Sequence, residues 1–135
     1  MPTPRAFAPV IWGAIICLPL LACGGDDSPT SPPPPAPSYD ISIINGVGFK
    51  SDSNQTQNPA VDTVAAGTKV TWIWRNTGTV EHNVHAVGSP TFPGSADLSG
   101  GSRFSYTFTT PGTYNYECTR PMHASLGMIG TIVVQ

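Results

Sequence analysis

The stretch Arg103–Cys118, RFSYTFTTPGTYNYEC, decides what kind of fold this chain adopts. Phe104, Tyr106 and Phe108 alternate with Arg103, Ser105 and Thr107, so one face of an extended segment is aromatic and the other polar. Side chains of a β-strand point to opposite faces in turn, and this period of two is the mark of a half-buried strand. Pro111-Gly112 is a turn signal that interrupts the run. Alternation then resumes in Thr113-Tyr114-Asn115-Tyr116-Glu117-Cys118, which sets Cys118 on the face of Tyr114 and Tyr116.

The same pattern extends outward. Asp40-Ile41-Ser42-Ile43 and Val70-Thr71-Trp72-Ile73-Trp74-Arg75 alternate large apolar groups with different neighbours, and Gly130–Val134 closes the chain as a β-branched strand. Ala66-Gly67, Asn76-Thr77-Gly78 and Ser99-Gly100-Gly101 punctuate these runs. Short strands separated this way, with no helical stretch, predict an all-β fold, an antiparallel Greek-key β-sandwich. Trp72, Phe104, Tyr106, Phe108, Tyr114 and Tyr116 are its expected aromatic core. Six basic and eight acidic residues leave a net charge of −2, and no basic stripe suggests a nucleic-acid partner.

The N-terminus has a different character. Met1–Arg5 carries a positive charge, and residues 6–22 form an apolar run shorter than the ~20 residues a membrane span requires. Residues 1–22 therefore read as a signal peptide. Leu20-Leu21-Ala22-Cys23 resembles the lipobox of bacterial lipoproteins, which implies acylation of Cys23 and an extracytoplasmic, membrane-anchored protein. Residues 23–38 follow as a Pro-rich linker with four consecutive prolines, Pro32–Pro35, and act as a stiff spacer. Residues 39–135 are long enough for one core and not for two, and are expected to fold as a single monomeric domain.

Within that domain Cys118 is the only thiol, so no internal disulfide is available to it. A free thiol in an oxidising compartment survives when it is buried or held by a metal. Cys118, His123 and Met128 recur at intervals of five, between the end of one strand and the start of the next. Thiolate and thioether are soft donors and imidazole is borderline, a mixture that suits copper over hard cations. A further ligand must come from His82 or His85, which three-residue spacing turns to opposite faces of a regular strand. His82 follows the Gly78 turn at an end of the sandwich, and His85 is the expected solvent-facing residue.

His82-Asn83-Val84, followed later by YEC-x4-H-x4-M, resembles the cupredoxins, the type 1 or blue copper proteins. The likeness includes VAAGTKVTW before the first histidine and PGTYNYEC before the cysteine. The ligand spacing is closer to auracyanin and rusticyanin than to plastocyanin, whereas Gly48–Ala60 departs from the family's compact F-x-P opening. The resemblance implies one copper ion cycling between Cu(I) and Cu(II). His82, Cys118 and His123 would be its equatorial ligands and Met128 the weak axial one, with Asn83 bracing the cysteine. It further implies a one-electron carrier, not an enzyme, with redox partner proteins docking near His123. A copper carrier or buffer without a shuttle role is the alternative function.

Overall fold

The computed structural model describes residues 35–44, 46–75 and 77–135. The expected signal peptide and Cys23, with most of the Pro-rich linker, lie outside the described residues. Eight strands run in chain order: β1 (Ser38–Ile43), β2 (Phe49–Ser51), β3 (Ala60–Val64), β4 (Thr68–Trp74), β5 (His85–Val87), β6 (Arg103–Phe108), β7 (Gly112–Glu117) and β8 (Ile129–Val134). No helix occurs among the described residues. The strands form two four-stranded sheets, ordered β2-β1-β4-β6 and β3-β8-β7-β5.

Pairing within the sheets is mixed, a refinement of the antiparallel sandwich that alternation suggests. β1 runs parallel to β4, with Ile41 beside Trp72, and β3 runs parallel to β8, with Asp62 beside Ile132. The other four pairs are antiparallel, among them β4 with β6 and β7 with β8. Alternation specifies which face a residue occupies. It is silent on the direction of the neighbouring strand, which the long connections decide.

The core lies between the sheets and is aromatic. Trp72 is fully buried, stacks on Phe92 at 5.6 Å between ring centroids, and meets Tyr116 edge-on at 5.3 Å. Phe108 and Tyr114 join this cluster, while Phe104 and Tyr106 pack against it half-buried. Edge-to-face pairs of this kind add about 0.5–1.5 kcal/mol beyond the area they remove from water. The face assigned to Tyr114 and Tyr116 is the buried one, and Cys118 continues it beyond the end of β7.

Gly48–Ala60, the stretch that departs from the expected opening, is a hairpin-like excursion. Ser51 Oγ accepts from the backbone N–H groups of Ser53 and Asn54, and Asn54 Nδ2 and Thr56 Oγ1 both reach the Val61 carbonyl. The extra residues are thus stitched to the outer edge of β3, and Asn58 among them comes close to Gly127 in the loop that follows β7.

Candidate metal centre

β7 and β8 form adjacent antiparallel strands, so the segment from Cys118 to Met128 must leave and re-enter the same sheet. The Cys118 N–H donates to the Met128 carbonyl at 3.1 Å, extending the ladder by one rung beyond Glu117 and Ile129. Inside that closure the loop is held by its own backbone. The Met128 N–H donates to the His123 carbonyl at 3.0 Å, and the His123 N–H to the Arg120 carbonyl at 3.1 Å. Gly127 sits at φ +96°, a left-handed conformation that a side chain would oppose, and it turns the chain into β8. Three residues five apart in sequence therefore meet through main-chain bonds.

His82 arrives from the opposite sheet's direction, in the connection from β4 to β5. It is not on a regular strand. Its N–H and carbonyl both pair with Leu98 at 2.9 Å in an isolated bridge, and its carbonyl also accepts from the buried Trp74 indole at 3.1 Å. The core thus grips the histidine's backbone from two sides. His85 opens β5 as an exposed residue opposite Glu117, apart from this cluster.

One ligand atom each from His82, Cys118 and His123 lies within 4.8 Å of the others. His123 Nδ1 is 3.2 Å from His82 Nδ1 and 3.3 Å from Cys118 Sγ. Atoms spaced this way can share one centre at the about 2.0–2.3 Å that metal–nitrogen and metal–sulfur bonds require. His82 and Cys118 are both 0% exposed, and His123 is half-buried. Burial, reinforced by the positive charges of His123 and Arg120, pulls His82 down to about 4 from its usual 6.5. A neutral imidazole with a free lone pair is the form a metal takes. Met128 is likewise fully buried and is tied to both Cys118 and His123 through its backbone. A buried thiol, two imidazoles and a neighbouring thioether fit a soft or borderline ion such as copper, and no hard oxygen ligand competes within the trio.

Asn83 sits where bracing is expected. Its backbone N–H points to Cys118 Sγ at 3.5 Å, and its side-chain oxygen accepts from the Thr119 N–H at 2.8 Å. Its Nδ2 donates to Thr119 Oγ1 at 2.9 Å and to Asp97 Oδ1 at 2.7 Å. Asp97 in turn accepts from Arg120 Nη1 at 3.0 Å, and Arg120 also reaches Glu81 at 3.4 Å. Sequence reading leaves Thr119, Asp97 and Arg120 unassigned. Only the spacing of Thr119 and Arg120 directly after Cys118 hinted at them, because Asp97 belongs to a distant loop.

Comparison with known proteins points to copper as the metal. The family described as copper binding proteins, plastocyanin/azurin family, matches residues 47–135. Among solved structures, a purple cupredoxin from Nitrosopumilus maritimus is 26% identical with a TM-score of 0.54, covering 72% of this chain and 99% of that one. The Cu(I) form of an amicyanin variant is 29% identical with a TM-score of 0.55, covering 73% of this chain and 82% of the other. A reduced auracyanin from Roseiflexus castenholzii, 23% identical with a TM-score of 0.52 and coverage of 73% and 96%, shares the fold. A family match over residues 47–135, a span that includes Cys118, His123 and Met128, shows that the chain belongs to the plastocyanin/azurin family of copper-binding proteins.

Proposed function

We propose that the protein is a one-electron carrier in which His82, Cys118, His123 and Met128 would hold a single copper ion. The observation that carries this reading is the fully buried Cys118 thiol facing two imidazoles within 4.8 Å. Copper held there supplies a one-electron couple between Cu(I) and Cu(II). The protein's part is to keep the donors still. His82 is pinned through Leu98 and Trp74, and Cys118, His123 and Met128 through their own loop. Ligands that cannot relax make little movement necessary when the charge changes. Four protein donors also leave no open position for a substrate, unlike a catalytic metal site. The protein is therefore read as a carrier and not an enzyme.

His123 is the route for the electron. It is half-buried on a loop whose Met122 and Leu126 are 70% and 58% exposed. A small apolar rim around a ligand suits brief contact with redox partner proteins. The lipobox-like ending at Cys23 supports a lipid anchor on an extracytoplasmic membrane surface. The Pro-rich tether would then confine the domain near its partners and raise their effective concentration.

Colour tests the centre. The Cu(II)-loaded protein is expected to show an intense visible thiolate-to-copper band, and Cys118→Ser to remove it completely while far-ultraviolet circular dichroism keeps its β signature. A colourless wild-type protein after copper titration overturns the electron carrier and favours a Cu(I) carrier or buffer. Membrane fractionation tests the anchor. Wild-type protein is expected with membranes and Cys23→Ala to be released or misprocessed, and an unmodified, soluble wild type overturns that part.

A further inference from the structure

Asp97 stands in the long connection between β5 and β6, 23 residues from the loop it touches. The connection folds back along the His82 segment: the Leu98 N–H and carbonyl pair with His82, and the Ser95 N–H donates to the Val84 carbonyl at 2.9 Å. Asp97 is thereby delivered beside Asn83. Its two oxygens divide their work, Oδ1 accepting from Asn83 Nδ2 at 2.7 Å and Oδ2 from Arg120 Nη1 at 3.0 Å.

The chemistry of these groups gives the contact a direction. An amide presents oxygen and nitrogen on nearly identical outlines, so its neighbours decide which way it faces. Thr119 Oγ1 can donate or accept and does not choose. A carboxylate only accepts and a backbone N–H only donates, so Asp97 requires Nδ2 on its side just as the Thr119 N–H requires Oδ1 on the other. Thr119 follows Cys118 directly, and the Asn83 backbone N–H faces the sulfur itself. A continuous line runs from Arg120 through Asp97 and Asn83 to Cys118 Sγ.

We propose that Asp97, held by Arg120, is a positioning residue that fixes Asn83 and through it sets the electron donation of the Cys118 thiolate. The proposal rests on the reading of Cys118 as a copper ligand and extends it to a charge pair outside the donor set. As a fold element the pair is minor. Asp97, Arg120 and Glu81 are all more than a third exposed, and exposed ion pairs contribute about 0.2–1 kcal/mol. Their charges act on the centre with opposite sign. Loss of the Asp97 anion disfavours Cu(II) and raises the potential, whereas loss of the Arg120 cation lowers it.

The test uses the full chain with Asp97→Ala, Asp97→Asn and Arg120→Gln. Visible and resonance Raman spectra of the Cu(II) form report the copper–thiolate bond, and amide exchange at Asn83 and Thr119 is read by NMR in the Cu(I) and metal-free forms. Asp97→Ala is expected to shift the thiolate band and to speed exchange at Thr119 about tenfold, the effect of weakening a charge-assisted hydrogen-bond chain. Asp97→Asn keeps an acceptor for Asn83 Nδ2, so band and exchange return to wild type while the potential rises. Arg120→Gln moves the potential the other way. Wild-type spectra and exchange in Asp97→Ala overturn the proposal, as does failure of Asp97→Asn to restore them. A wild-type protein with no thiolate band defeats the copper reading instead, and metal-free exchange then still decides whether Asp97 holds Asn83.

Discussion

Two buried polar clusters in this domain are treated very differently. At the loop end, Asn83 uses its backbone N–H and both side-chain polar atoms, and the chain of contacts runs outward to the exposed Arg120 and Glu81. His82 Nε2 is the one buried side-chain nitrogen or oxygen of His82, Asn83 and His123 without a hydrogen-bond partner. In the middle of the core, Asp62 is fully buried and Ser51 Oγ donates to its Oδ1, but Asp62 Oδ2, Trp72 Nε1 and Tyr116 Oη have no protein partner. Burial pushes the Asp62 carboxyl above its usual 3.8, opposed by the Ser51 bond and reinforced by Asp52. Burial likewise pushes the Tyr116 phenol up, and the nearby Asp62 carboxylate adds to the rise. The difference teaches where order has been concentrated. Polar atoms near the donors are tied to one another, and those in mid-core are tolerated at a cost in stability.

The largest expected effect breaks the mid-core cluster by steric means. Tyr116 lies flat against Gly130, its register partner on β8, where an added methyl group would meet the phenol ring and hydroxyl. Gly130→Ala should lower unfolding stability by on the order of 3 kcal/mol, read as a shift in denaturation midpoint. An unshifted midpoint would mean that Tyr116 has room to move.

Next comes the ligand end, where the effect falls on potential and not on folding. Met128→Gln replaces a soft thioether with a harder oxygen that favours Cu(II). The reduction potential should fall by on the order of 60 mV, about 1.4 kcal/mol for one electron, with copper and colour retained. Loss of copper, or an unchanged potential by voltammetry, makes Met128 a core residue and sends the search for a fourth donor elsewhere.

Asp62→Asn sharpens the contrast through pH. Because the folded-state pKa is raised, the folded protein binds more protons than the unfolded chain just above pH 3.8. The stability Asp62 contributes is full below that pH and is lost as pH rises through the raised value. Asp62→Asn should therefore gain on wild type as pH rises, by on the order of 1 kcal/mol at neutral pH. A difference that is flat with pH would show that the carboxyl is not what titrates. The smallest effect belongs to His85→Ala, for which no change in the visible spectrum is expected, since His85 is exposed and apart from the trio. Bleaching by that variant, with His82→Ala still blue, would falsify the choice of ligand.

The same contrast explains what could be read from the residues. Alternation in Arg103–Cys118 identified two strands and the buried face of Cys118, because one polar and one apolar face suffice for that inference. The even spacing of Cys118, His123 and Met128 was legible because all three sit in a single loop. β3 was not legible. Its inward positions are Ala60, Asp62 and Val64, and an acid at the centre of the buried row hides the hydrophobic pattern. The bridge between His82 and Leu98 was also invisible, since it depends on how a long connection folds back. Asp97 and Arg120 escaped notice for that reason: surface charges far apart in sequence become partners only after the loops are placed.

Sulfur exposure in this loop carries a chemical consequence for the protein's ageing. Cys118 and Met128 are 0% exposed, whereas Met122, at φ +68°, turns its side chain outward and is 70% exposed. Among the described residues these are the three sulfur atoms. An oxidant arriving from solvent therefore meets Met122 first. Its thioether becomes a polar sulfoxide, a change that methionine sulfoxide reductases can reverse. Oxidative wear would then begin on the apolar rim beside His123, altering how partners engage while leaving the interior sulfurs intact.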